Sequence, residues 1–157
     1  MRENKIYKIE VHVAGICFFG DKVLIVKRNS GRRLYPNLWE CGGGQVRNGE
    51  NFEEALIRGQ REELGVEIRP IGMLKNLGTY EIITNNPEQP KIPGVKIACE
   101  IVGFVNGKEP EITDEHSEWK FISETEINDC EFIPGIKDEI QEVFGMVGNS
   151  SIDSKKY

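Results

Sequence analysis

Residues Asn51 to Leu64 place apolar and polar side chains at helical spacing. The segment is bracketed by glycines, with the run Gly42-Gly43-Gly44 before it and Gly65 where a helix C-cap glycine belongs. A helix so tightly bounded has extended segments on both sides. Tyr7, Ile9, Val11 and Val13 alternate with Lys8, Glu10 and His12, the period of a half-buried strand running into Ile16-Cys-Phe-Phe19. Gly20-Asp21 interrupts the chain before Lys22-Val-Leu-Ile-Val-Lys-Arg28, so these two apolar runs read as a hairpin. Val66 to Tyr80 and Val95 to Val105 read as further strands, separated by a Pro-rich loop, Thr84 to Pro93, that is placed to border a ligand site.

Beyond the turn at Asn106-Gly107 lies an acidic, loop-like segment, Glu109 to Glu118, followed by a short strand around Trp119 to Ile122. Ser123-Glu-Thr-Glu126 fits a capping box and predicts a short helix. Pro134, Ile136, Ile140, Val143 and Phe144 outline a second amphipathic helix that begins with proline and ends near Gly145. Strands interleaved with two helical patterns predict an α/β or α+β layered fold around a mixed sheet. With 157 residues the chain can bury one proper core. A single domain is expected over residues 1–147, with a small, polar, disordered tail over 148–157.

Composition narrows the partners. Twenty basic against 26 acidic side chains give a net charge of −6, the wrong sign for tracking nucleic-acid phosphates, so no nucleic acid is expected and a polyanionic ligand needs a local cation. No run reaches the roughly 18 apolar residues of a membrane span, and the polar start Met1-Arg-Glu-Asn-Lys5 lacks the apolar stretch of a secretion signal. Cys17, Cys41, Cys99 and Cys130 form no C-x-x-C pair, so they read as reduced thiols of a cytoplasmic protein, not as a zinc or disulfide framework.

At about 100° per residue, Glu62 and Glu63 fall on the same face of the first helix as Phe52, Leu56 and Gly59, whereas Glu53 and Glu54 point where a solvated helix keeps its acids. Adjacent carboxylates at a helix C-terminus repel one another and meet the negative end of the macrodipole. A bound cation relieves both penalties, and oxygen-only ligands point to Mg²⁺ or Mn²⁺ over zinc. The competing reading is a solvated or salt-bridged helix end, with Arg58 paired to Glu62 at i, i+4.

The spacing Gly44, Glu50, Arg58, Glu62, Glu63, Gly65 and Val66 resembles the box of the Nudix hydrolases, G-x5-E-x7-R-E-U-x-E-E-x-G-U with U a bulky aliphatic. The Val23-to-Arg28 strand, the Trp39-to-Gly44 approach and the Glu115-His116-Ser-Glu118-Trp119 segment extend the likeness more weakly along most of the chain. The resemblance implies an α/β/α sandwich with a mixed sheet, whose box holds Mg²⁺ or Mn²⁺ against the diphosphate of a nucleoside triphosphate or nucleoside diphosphate derivative while water attacks phosphorus. Glu62 and Glu63 are then metal ligands, Glu50, Arg58 and Gly65 structural parts of the box, and a homodimer a common state. The chain departs from the pattern at Gly59, where the family has a glutamate, and at Gln60, where it has the aliphatic. Branches lacking that glutamate, such as GDP-mannose mannosyl hydrolases and isopentenyl-diphosphate isomerases, place part of their acid-base chemistry elsewhere. Attack at the sugar carbon of a nucleotide sugar, and a catalytically weak nucleotide-binding domain, are therefore alternatives.

By the same resemblance, Glu115 is a further metal ligand or base, and His116 a base titrating near neutral pH; solvent-exposed loop positions are the bland alternative for both. Arg28 reads either as a phosphate contact or as a strand-end charge, Lys96 likewise, and His12 as structural. Gly43 and Gly44 can cradle phosphate through backbone N–H groups or simply form the bend into the box.

Overall fold

A computed structural model describes residues 9–73, 82–83 and 87–153. Tyr7, residues 74–80 of the expected third strand and residues 84–86 of the Pro-rich loop lie outside them, as do residues 154–157 of the expected tail. The elements are β1 (His12–Phe19), β2 (Lys22–Arg28), β3 (Trp39–Glu40), β4 (Gly43–Gln45), α1 (Phe52–Leu64), β5 (Val66–Met73), β6 (Ile82–Ile83), β7 (Lys91–Ile92), β8 (Gly94–Phe104), β9 (His116–Ile122), a 3₁₀ turn (Glu124–Asp129) and α2 (Ile136–Asp153).

Helix α1 forms where its boundary chemistry demands. The Asn51 side chain accepts the Glu54 N–H at 2.8 Å, and Gly65 turns left-handed at φ 63° to close the C-terminus on the Arg61 carbonyl. The expected hairpin is present as antiparallel β1 and β2. β8 runs parallel to β1 and antiparallel to β5, which makes the sheet mixed. Alternation along β2 divides the core in two. Leu24 and Val26 join Ala55, Leu56 and Leu64 of α1, while Val23 and Ile25 join Ile140 and Val143 of α2. The sheet is thus sandwiched between helices, an α/β class fold. Each fully buried aliphatic contributes about 1.5–3 kcal/mol, so both helices are held chiefly by their apolar faces.

Two expectations need correction. His116 to Glu118 belong to β9 and not to a loop, because β9 pairs with β2 as far as Arg28. The capping-box segment does form a short helix, of 3₁₀ type, in which the Glu126 carboxylate accepts the Ser123 N–H at 3.1 Å. α2 does not stop at Gly145 but continues to Asp153, so residues 148–153 of the expected disordered tail have helical backbone. Gly145 takes no left-handed conformation there, and without that reversal the hydrogen-bond ladder propagates through it.

One departure from an ordinary hairpin makes the site. β1 and β2 pair only near their turn, at Phe18–Val23 and Phe19–Lys22. Further along, β4 takes over His12–Ala14 of β1 and β3 takes over Val26–Lys27 of β2. The chain from Glu40 to Gln45 therefore lies where the two strands part, and it lines a cleft of about 800 Å³.

Candidate active site

The seat of α1 explains the first of the two box departures. A Cβ at Gly59 would lie 3.3 Å from the Gly43 carbonyl oxygen and 3.5 Å from the Gly44 Cα, so the helix rests on β4 backbone to backbone. Gly43 in turn meets the Val13 carbonyl so closely that a Cβ would fall 2.3 Å from it, which only glycine permits. Gln60 is fully buried. Its Nε2 reaches the Cys41 carbonyl at 3.5 Å, and its Oε1 has no partner among the described residues.

Arg58 ties the box loop to the helix. Its Nε donates to Glu50 at 2.7 Å, one Nη donates to the Gln45 carbonyl at 2.7 Å, and the other approaches Glu62 at 3.4 Å. The Arg58 hydrogen bond holds the Glu50 carboxyl below its usual range. These contacts suit the structural roles expected of Glu50, Arg58 and Gly65.

The paired carboxylates do not share one environment. Glu62 is half exposed and held between Arg58 and Arg47, the latter at 3.6 Å. The helical-wheel expectation that it shares the apolar face fails: the buried residues of α1 are Ala55, Leu56, Gly59, Gln60 and Leu64, and Glu62 stays outside them. Glu63 lines the cleft and makes no hydrogen bond or ion pair among the described residues. Burial, then the negative charges of Glu115, Glu40 and Glu62, push its carboxyl up to about 7, with His116 opposing.

A carboxylate not singled out in the sequence organises the rest. Trp39 and Cys41 pack on the α2 side, so Glu40 between them faces the α1 side. There its Oε1 lies 2.7 Å from His116 Nε2, and Arg28 Nη1 lies 3.3 Å from its Oε2. Burial opposes its ionisation, but the His116 hydrogen bond and the Arg28 charge outweigh it and hold the carboxyl below the usual range. An acid between a tryptophan and a cysteine in a short extended segment was the available signal. His116 is not a solvent-exposed base. It is buried, committed to Glu40 through Nε2, with Nδ1 unpartnered among the described residues. Arg28 also donates to the Leu34 carbonyl at 2.8 Å, so it braces Glu40 and the 34–37 loop besides lining the cleft. Glu115 is half exposed at the cleft, 3.7 Å from Arg32.

Lys96 sits apart from this group. Its strand neighbour Ala98 packs on α2, and Lys96 pairs on that same side with Glu139 of α2. His12 bonds Glu10 at 2.6 Å, in keeping with a structural role.

No three metal-ligating side chains are gathered into a site among the described residues. The donor chemistry nevertheless fits a hard divalent cation. Glu63 carries uncompensated negative surroundings, Glu115 and Glu40 share its cleft, and Mg²⁺ characteristically takes one or two carboxylates plus substrate phosphate.

The chain belongs to the Nudix hydrolase family: the family's NUDIX domain profile matches residues 9–142. It is 29% identical over 110 residues to an isopentenyl-diphosphate Delta-isomerase of Klebsiella pneumoniae, covering 66% of this chain and 59% of that protein. It is 31% identical over 85 residues to an RNA pyrophosphohydrolase of Hydrogenovibrio crunogenus, covering 50% of this chain and 52% of the relative. The chain thus spans little more than half the length of these curated relatives. Among solved structures, a MutT protein from Methanosarcina mazei Go1 superposes with a TM-score of 0.64 at 19% identity, over 92% of this chain and 99% of that one, and shares the fold. No helix among the described residues is long and apolar enough to cross a membrane.

Proposed function

We propose that this protein hydrolyses the diphosphate linkage of a nucleoside triphosphate or nucleoside diphosphate derivative with Mg²⁺ or Mn²⁺. The observation that carries the reading is Glu63, a partly buried carboxyl at the C-terminal end of the box helix, without a partner among the described residues and facing Glu115 across a nucleotide-sized cleft. Glu63 and Glu115 would hold the cation, with Glu62 joining after release from its arginines. The cation would neutralise diphosphate charge and acidify an attacking water. Arg32 supplies positive charge to the same side of the cleft. Glu40 and Arg28 fix His116 behind the carboxylates, where the imidazole charge favours ionised Glu63. The Gly43 backbone N–H would be the one available to a phosphate oxygen, since Gly44 forms a hydrogen-bonded pair with Val13 in the β1–β4 ladder.

The names of both curated relatives carry a diphosphate or pyrophosphate, and the net charge of −6 favours a small nucleotide over a polynucleotide. The four free cysteines favour a reducing, cytoplasmic setting, and the family's habits favour a homodimer. Gly59 supports a second reading, attack at the sugar carbon of a nucleotide sugar, because the box lacks its usual third carboxylate.

A hydrolysis screen with Mg²⁺ against nucleoside triphosphates, ADP-ribose, dinucleoside polyphosphates and nucleotide sugars, with product analysis, tests both. Release of a mononucleotide or inorganic pyrophosphate supports phosphorus attack. Release of free sugar with an intact nucleoside diphosphate supports the second reading. No turnover of any of these compounds overturns both.

A further inference from the structure

The cleft has a second pole that the hydrolytic reading leaves unused. On the α2 side, Lys96 is only 8% exposed and its partner Glu139 only 25% by side chain, yet both line the cleft together with Ile92, Ile133, Pro134 and Ile136. An ion pair in such a place contributes little to stability, since desolvation offsets most of its attraction. Burial pushes the Glu139 carboxyl up and Lys96 opposes the shift. Apolar walls around a fixed donor and a fixed acceptor are instead what recognises a flat heterocycle by its polar edge.

We propose that this pole is a base-recognition subsite selective for guanine, with Lys96 donating to the O6 carbonyl and the Glu139 carboxylate accepting from N1–H and the N2 amino group. The inference rests on the nucleotide reading of the site and adds the identity of the base. The edge chemistry selects among bases. A carboxylate accepts best from two adjacent N–H donors, and an ammonium beside it requires an acceptor next to them. Guanine alone presents carbonyl, N–H and amino group in that order. Adenine presents an amino group beside a bare ring nitrogen, cytosine an amino group followed by two acceptors, and uracil a single N–H between two carbonyls. The two poles of the cleft give a nucleotide its direction. Arg28, Arg32 and a cation held by Glu63 would meet the phosphates at one pole of the cleft, and Lys96 and Glu139 would meet the base at the other, on the α2 side.

Mononucleotides test this without any diphosphate to cleave. Calorimetric titration of the full chain with guanosine, inosine, adenosine and uridine monophosphates, in the presence of Mg²⁺, should show guanosine monophosphate bound tightest. Inosine monophosphate, which lacks the amino group, should bind about tenfold or more weaker, the worth of one hydrogen bond to a charged acceptor. Glu139→Gln exchanges one acceptor for a donor, so the variant should prefer xanthosine monophosphate, whose ring carries a carbonyl where guanine carries the amino group. That gain distinguishes altered recognition from a damaged fold. Equal affinities for the four bases, no binding of any of them, or an unchanged guanosine preference in Glu139→Gln would overturn the proposal. Guanosine selectivity in a protein that cleaves no diphosphate would uphold the subsite and overturn the hydrolase reading, whereas cleavage with no preference among bases would do the reverse.

Discussion

Glu40 and His116 meet across the end of β2. Glu40 pairs through its backbone with Val26 on one edge of that strand, His116 pairs with Arg28 on the other, and their side chains close to 2.7 Å. Arg28 completes the group from β2 itself. Glu40→Gln removes the charge that Arg28 and the His116 hydrogen bond answer and should destabilise the protein by about 3 kcal/mol, the scale for breaking a buried pair from one side. Thermal unfolding checks this through a fall in Tm of roughly 6–12 °C. Because the folded carboxyl titrates below its ordinary value of 4.5, its stabilisation is present above that value and is lost as pH falls through the lowered one. Glu40→Gln should therefore flatten the acid limb of the stability curve. An unchanged limb would remove Glu40 from the account.

Glu63 has the opposite sign. Its carboxyl is raised from 4.5 to about 7, so the folded state keeps a proton that the unfolded chain releases, and metal-free stability should fall as pH rises between those values. Glu63→Gln should abolish that decline. At pH above 7, Mg²⁺ or Mn²⁺ should raise the Tm of the wild type and raise that of Glu63→Gln much less. Equal metal-induced shifts in the two proteins would exclude Glu63 as a ligand.

The seat of α1 on β4 sets the outcome at position 59. Alanine there would gain about 1 kcal/mol of helix propensity. It would also press a Cβ to 3.3 Å from the Gly43 carbonyl and force helix and strand apart. Gly59→Ala should be destabilising on balance. Gly59→Glu should strengthen metal binding by adding a carboxylate, yet lower kcat, because it shifts the Gly43-Gly44 backbone that faces the cleft. Steady-state kinetics with a metal titration of both variants is the measurement, and a rise in kcat would show a vacancy and not a close-packed seat.

Gln60 makes a contrary prediction. Its buried Oε1 has no partner among the described residues and its Nε2 reaches the Cys41 carbonyl only at 3.5 Å. Gln60→Leu keeps the volume and removes the orphaned acceptor, which is worth about 1–2 kcal/mol in the stabilising direction. Differential scanning calorimetry should record a higher Tm. A lower one would mean that the glutamine is needed to hold the strand at Cys41.

Features written in local chemistry were legible beforehand. Asn51 and Gly65 fix α1 without reference to anything distant, and alternation along β2 already assigns Leu24 and Val26 to one face and Val23 and Ile25 to the other. The separate fates of Glu62 and Glu63 were not legible, because a helical wheel gives direction and says nothing about where β4 and β5 stop covering the helix. Local pattern does not expose Glu40, because its partners Arg28 and His116 sit on the neighbouring strand β2 and on β9 beyond it, distant in sequence. By composition His116 belongs to an acidic loop, because the strand that claims it is specified by its pairing with β2. The Lys96–Glu139 pair depends in the same way on how α2 docks.

The parallel pairing of β1 with β8 has a consequence for how the molecule comes into being. His12 is joined to Gly94 and Phe18 to Glu100, so the strand beneath the box helix has no lasting neighbour on that side until well past the middle of the chain has been synthesised. Contacts so remote in sequence close late and slowly. On a translating ribosome the box helix and its glycine loop emerge long before β8, whose Ile97, Cys99 and Ile101 complete the core under the helix. The acidic cluster facing the cleft is therefore among the last features to acquire its shape, and truncations ahead of β8 should yield no miniature version of the site.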